Sequence, residues 1–565
     1  MHDVLSEKLI ARILSVGAAL TTIFIVSDTV TDPVNAPKLL VLGVTGAAAL
    51  GVLFSGGVLS FIKVNIPVVL LCSYFLLSMF VAVFSSDSPL SQNLYGSYGR
   101  NNGLVTYFFL VAILLSSQAL SSLKSFESIV KALLFAGVVN ILYCLWVIMF
   151  GDFIGWSNPY GNILGTLGNP NFIGSFLGIF FTAYLAFSLG KSASKIIKYS
   201  SLVILPVTAF EIYDSNAIQG RVVAALGVGI VGFLLMRSRF GTVSTLVYVG
   251  AGSIAGVLGL LGALQIGPLT NYIYKTSVSL RGQYWLAGWN TGESHPLTGV
   301  GMDSFGDWYR RSRDVHAIKL PGTNTVVNAA HNVPLDMFAF GGWPLFLSYI
   351  AVMGLAGVAA VKLIIRKREF DPILAVLVTS WAGYQLQSVI SINQIGLAIW
   401  GWLLSGALIA YEKANRNAAE AVQGNSKRTA NPKKTNSQPS LHVMIGTLSG
   451  IVGLVIALPP IVSDAKWRSA QVGRTLVAIE GTMTPGFFNL QNSTKYLSNI
   501  QVLEESKLFD LSHKYALEAV KWNPECFELW KVFYLINNST PDEKALALEN
   551  MKRLDPLNPD VTSIK

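Results

Sequence analysis

Apolar runs of roughly 20 residues recur along this chain, each closed by a short polar segment. A helix of that length spans the ~30 Å hydrocarbon core of a bilayer. The pattern predicts an all-α, polytopic membrane helix bundle. Twelve core spans fall near 9–27, 37–60, 64–84, 103–121, 128–150, 172–190, 199–213, 220–236, 242–266, 333–361, 372–390 and 393–411, and an extra one covers 441–463. Two segments break the rhythm. The first, 267–332, is rich in Arg, Trp, Tyr and Gly and far longer than joining two helices requires. The second, 412–440, is Asn/Ser/Pro-rich and aperiodic, so a flexible linker is expected there. After 463 the composition returns to that of a soluble domain. Over 464–565 the pattern reads as helix pairs, and Ala519, Pro524, Trp530 and the LDPLNP ending resemble tetratricopeptide spacing, about two residues short of the 34-residue period.

Composition makes most of the chain scaffold. Of 565 residues, 52% are hydrophobic and 13% charged, and mean hydropathy is +0.52. Soluble domains carry about 25% charge. The first run lacks a small-residue cleavage site and is expected to be retained as a span. Cys72, Cys144 and Cys526 lie too far apart for a metal spacing or disulfide framework. The net charge of +10 is mostly an orientation signal rather than a nucleic-acid patch. With the N-terminus inside, inner loops carry Lys124, Lys131, Lys191, Lys195, Lys198, Arg237, Arg239, Lys362, Arg366, Lys367 and Arg368. The linker adds Lys427, Arg428, Lys433 and Lys434, while outer loops carry Asp28, Asp32, Asp87, Asp152 and Asp214. This is the positive-inside asymmetry. It puts the 267–332 loop and everything after 463 outside the cytoplasmic membrane, on one face.

Candidate chemistry concentrates in the outer segments. Arg100 in GSYGRNNG, Arg221 in DSNAIQGR and Arg281 in SLRGQYW each sit beside a span among glycines and aromatics. A guanidinium fork matches phosphate oxygens and stays charged in a partly dry site; the plainer alternative is snorkelling to lipid phosphate. His331, at the end of the loop in AHNVPLDMFAFGG, is a base without need of a metal. His295 and His316 are alternatives. Tyr284, Trp285 and Trp289 are placed to stack on sugars or to anchor the interface, and Asn332 neighbours the histidine. Gly299, Gly301 and Gly306 would let the loop pack closely, whereas Arg310 and Arg311 read as a solvated run. No metal-ligand spacing, phosphate loop or nucleotide fingerprint occurs. Hence neither metal nor cofactor is expected, and energy must arrive with the substrate. A transporter is the reading from another class; no charged mid-span residue or clear internal repeat supports it.

Seven motifs resemble, in order, those of the O-antigen ligase-like integral membrane glycosyltransferases: TDPVNAPK (31–38), GSYGRNNG (96–103), GTLGNPNFIG (165–174), RGQYWLAGW, HPLTGVGMDSF, AHNVPLDMFAFGGWP and QSVISINQIGLAIWGWLLSG. The resemblance implies a GT-C type fold. It also implies metal-independent, inverting transfer of a glycan from an undecaprenyl-diphosphate carrier to a lipid, glycan or protein acceptor. In such enzymes outer-face arginines hold the diphosphate and a loop histidine serves as base, which maps onto Arg221, Arg281 and His331, with Arg100 as a further phosphate contact. One departure is that Ile218-Gln219-Gly220-Arg221 stands where the family often has Ser-Arg-Gly. Ligase, polymerase and protein O-glycosyltransferase all remain open. The tail is expected to guide an acceptor or protein partner without supplying charged groups for chemistry.

Overall fold

The structure is a computed structural model that describes residues 4–191, 193–422 and 439–564. A helix stands at all thirteen expected positions. Eleven are long and apolar enough to cross a membrane, from Asn35–Ser55 to the final helix at Ser440–Gly473. The other two are Val4–Ile23, which carries Glu7, Lys8 and Arg12, and Leu104–Ser117, whose 14 residues are mostly buried inside the bundle. Among the described residues no strand forms.

The last long helix, Pro439–Gly473, is packed into the bundle along Asn35–Ser55. Small residues make this possible. A Cβ on Gly43 would lie 2.6 Å from Ala457 Cβ, one on Gly51 2.2 Å from Ser449 Oγ, and one on Gly453 2.2 Å from the Gly43 carbonyl. Backbones approach this closely only where side chains are absent, and van der Waals contact replaces hydrophobic drive in lipid. This helix also runs ten residues beyond its expected end at 463, to Gly473, because after Pro459-Pro460, which it accommodates, no proline or glycine follows until Gly473 itself, ahead of Arg474 at φ +48°. Asp464, Trp467 and Arg468 therefore sit on a rigid helix rather than in a tail.

Two further expectations change. The 412–440 segment is helical to Val422 and again from Pro439; its remainder, with Lys427, Arg428, Lys433 and Lys434, lies outside the described residues. The 267–332 segment is folded, with helices at Thr276–Ser294 and Phe305–Ser312. Beyond 473, the pairs Ser493–Glu505 with Phe509–Trp522 and Phe527–Leu535 with Pro541–Leu554 enclose a core of Tyr496, Leu503, Phe527, Trp530 and Leu554.

Candidate active site

The Thr276–Ser294 helix carries its functional side chains on one face, because positions three and four apart lie above one another. Arg281, Tyr284, Trp285, Gly288 and Gly292 form that face. The glycines set the distance: a Cβ on Gly288 would lie 2.8 Å from Ala330, and one on Gly292 2.3 Å from Phe338. The helix thus seats against the start of Val333–Arg366, and the larger side chains of its first turns meet His331.

His331 is held in a left-handed turn, φ +57°, ahead of that helix. Asn332 caps the helix by accepting the Leu335 amide through its side chain at 3.1 Å. Buried Asp336 accepts the Ala330 amide at 2.7 Å, so both flanks of the turn are tied down. The imidazole lies 5.3 Å from the Tyr284 ring, tilted by 31°, and Trp285 Nε1 donates to the His331 carbonyl at 3.5 Å. Burial first, and then the positive charges of Arg281 and Arg100, lower the His331 pKa from 6.5 to about 3. At neutral pH it is an uncharged imidazole.

Arg281 is preorganised. Its Nε donates to the Ile390 carbonyl at 2.8 Å and its Nη1 to the Ser277 carbonyl at 2.9 Å. Ile390 ends the Pro372–Ile390 helix, where carbonyls lack intrahelical partners, so SVISINQ supplies the anchor. Neither bond uses Nη2. Arg100 acts on His331 from another direction, from a loop organised by Asp303. One carboxylate oxygen of Asp303 accepts the Ser97 amide at 2.8 Å, the Ser97 hydroxyl at 3.1 Å and the Asn102 amide at 3.2 Å. The Arg100 side chain makes no hydrogen bond or ion pair among the described residues.

The other expected residues separate. Arg221 is exposed; it stacks on Tyr213 at 5.1 Å and donates to that residue's carbonyl at 3.4 Å. Its neighbour Gln219 instead turns inward to the Ile390 carbonyl at 3.3 Å. Trp289 packs with Phe338 and Trp343, at ring distances of 5.2 and 5.9 Å, away from His331. His295 meets Trp308 and His316 meets Asp314. The loop glycines fill a different need. Val333–Arg366 breaks at Gly341-Gly342, and the Ala339 and Phe340 carbonyls accept the Val300 and Gly301 amides at 3.0 and 3.1 Å.

Arg310 and Arg311 are not solvated. With Arg313 they dock the tail. Arg310 bonds Glu528 at 2.7 Å and Asp555 at 2.9 Å, and Arg313 grips both Asp555 oxygens at 2.8 and 3.0 Å with both side chains fully buried. Arg311 pairs with Glu525, which also holds Arg553 at 3.1 Å. The hydropathy pattern could not show this, because the carboxylates lie more than 200 residues further along the chain.

Asp303, Asp336 and Arg468 escaped sequence reading. AKWRSA, one turn past the last apolar run, was the available signal for Arg468.

No curated protein matches the chain. Residues 202–350 match the family model described as O-antigen ligase, a segment that contains Arg221, Arg281, Tyr284, Trp285, His331 and Asn332. The match to O-antigen ligase at 202–350 thus lies in an all-helical structure that has, among the described residues, eleven helices of membrane-spanning length and apolarity.

Proposed function

We propose that the protein is a glycosyltransferase of the cytoplasmic membrane. It moves a glycan from an undecaprenyl-diphosphate carrier to an acceptor hydroxyl at the outer face. The observation that carries this reading is the pairing, inside the segment that matches O-antigen ligase, of a neutral half-buried histidine with an arginine whose Nη2 edge is uncommitted. Orientation is supported by the ends of one helix. His331 precedes Val333–Arg366, whereas Arg366, Lys367 and Arg368 stand at its other end, the cation-rich side expected in the cytoplasm.

In the reaction, the acceptor oxygen forms a bond to the anomeric carbon as the bond from that carbon to the diphosphate oxygen breaks. The leaving diphosphate takes the electron pair, and Arg281 stabilises its developing charge. The acceptor proton passes to the His331 imidazole. A group with a pKa of about 3 is a weak base, but Arg281, one of the charges that depress it, is neutralised when the diphosphate binds, so its basicity rises with the donor in place. Attack from the face opposite the leaving group inverts the anomeric centre. Arg221, at the exposed lip, has a secondary role in drawing in the anionic carrier.

Purified protein in vesicles, supplied with lipid-linked oligosaccharide and a panel of lipid, glycan and peptide acceptors, tests this. Glycan should leave the carrier only when an acceptor is present. Carrier hydrolysis or no turnover with every acceptor class would overturn the reading.

A further inference from the structure

Arg100 also lines a cavity of about 560 Å³ that neither Arg281 nor His331 reaches. Arg468, from the Pro439–Gly473 helix, enters the same cavity, and neither position lies in the 202–350 segment. The lining also holds Asp28 and Asp32, and Asp303, Asp336 and Asp32 favour the Arg100 charge, but neither guanidinium closes an ion pair among the described residues. Five other arginines, Arg310, Arg311, Arg313, Arg366 and Arg553, bond carboxylates. Arg468 makes no side-chain hydrogen bond or ion pair among the described residues, and its Nε is buried without a partner.

The rest of the lining says what bears the anion. Asp32 uses one oxygen to accept the Val34 and Asn35 amides at 3.0 and 3.1 Å, while its other oxygen is buried without a partner. The Asp32 charge disfavours an anion at that side chain. Asn35 and Asn328 offer amides, and Trp156 offers an aromatic face. Two guanidiniums, two side-chain amides and an aromatic ring suit a sugar bearing a phosphate or carboxylate, rather than a bare ion or a neutral sugar.

We propose that this cavity is an acceptor subsite for an acidic saccharide, its anionic group held between Arg100 and Arg468. The assignment to the acceptor rests on the transfer reading, whereas the binding itself does not. Arg281 and Arg100 act on His331 from separate elements, so one is left for the leaving diphosphate and the other for the incoming saccharide. The extra helix then completes the substrate site.

Binding is measured on the full chain in nanodiscs by calorimetry, with glucuronate and glucose 6-phosphate as probes and glucose and inorganic phosphate as controls. Both acidic sugars should bind at least tenfold tighter than either control. Arg468→Gln and Arg100→Gln should each weaken them tenfold or more, and Arg281→Lys should leave them within twofold. Trp156→Ala at the cavity rim should weaken the sugars but not phosphate, and decides the matter if Arg468→Gln misfolds. Unchanged affinity in Arg468→Gln, equal affinity for glucose, or equal affinity for phosphate would each overturn the proposal. If His331→Ala abolishes glycan transfer while Arg468→Gln keeps both sugar affinity and acceptor KM, the transfer reading stands and this one falls.

Discussion

Arg281 and Arg313 lie 32 residues apart in one outer segment, and their surroundings differ in one decisive respect. Arg313 is compensated: a fully buried Asp555 takes two of its hydrogen bonds and the Thr323 carbonyl a third at 2.8 Å. Arg281 touches only backbone carbonyls, with its charge uncompensated beside a neutral histidine. A charge taken out of water without a counterion is costly, and persists where a ligand is to provide the counterion. Pairing thus separates a clamp from a site where residue type and local composition do not.

Four outcomes break or sharpen this comparison. The largest is expected at His331. His331→Ala should lower transfer by about 10²–10⁴-fold, the usual worth of general base catalysis. Because its φ is positive, His331→Asn is the fairer control, since Asn tolerates that turn; it should stay folded and be as inactive. Transfer within a few-fold of wild type in both would remove the histidine from the chemistry.

Asp555→Ala comes next and tests the clamp. It strands Arg313 and one bond of Arg310, and breaking a buried pair costs about 3–5 kcal/mol. The tail should undock, read as faster proteolysis beyond Gly473 and a lower unfolding midpoint. A tail as protected as in the wild type would mean that apolar packing alone holds it.

Arg281→Lys should lose at least tenfold in transfer, since the ammonium cannot span the Ile390 carbonyl and a phosphate together. Arg221→Ala, at an exposed position, should lose no more than about threefold. Similar losses at both positions would reduce the segment to general basicity.

The smallest effect is in the pH profile. With a pKa of about 3 in the free protein, His331 is neutral throughout pH 5–8. kcat/KM should then show no acid limb near 6.5, while kcat, read with donor bound, should show one at higher pH than the free protein does. The sign for stability follows: the unfolded histidine binds its proton near 6.5 and the folded one near 3, so stability falls as pH drops through that window. An acid limb near 6.5 in kcat/KM would contradict the desolvated site.

Much of the scaffold was legible because one signal, apolar length, writes each long helix locally. The glycines of RGQYWLAGW and FGGWP were visible as motifs, but only packing explains them: Gly288 admits the Val333–Arg366 helix, and the carbonyls freed at Gly341-Gly342 receive the Val300 and Gly301 amides. What the chain did not reveal depends on distant partners. Arg310 and Arg311 look solvated until Glu528 and Glu525 are brought against them. Arg468 looks like tail until the helix is seen to continue. Arg221, placed beside Arg281 by motif order, instead stacks on Tyr213 at the exposed face of its helix.

The central claim is that unpaired arginine marks the reacting pole and paired arginine the clamp. Its most direct test measures glycan transfer and unfolding midpoint on the same reconstituted samples of Arg281→Ala and Arg313→Ala. The account predicts that Arg281→Ala loses transfer with its midpoint little changed, and that Arg313→Ala lowers the midpoint and frees the tail. Equal losses of stability in the two variants, or full transfer by Arg281→Ala, would contradict it.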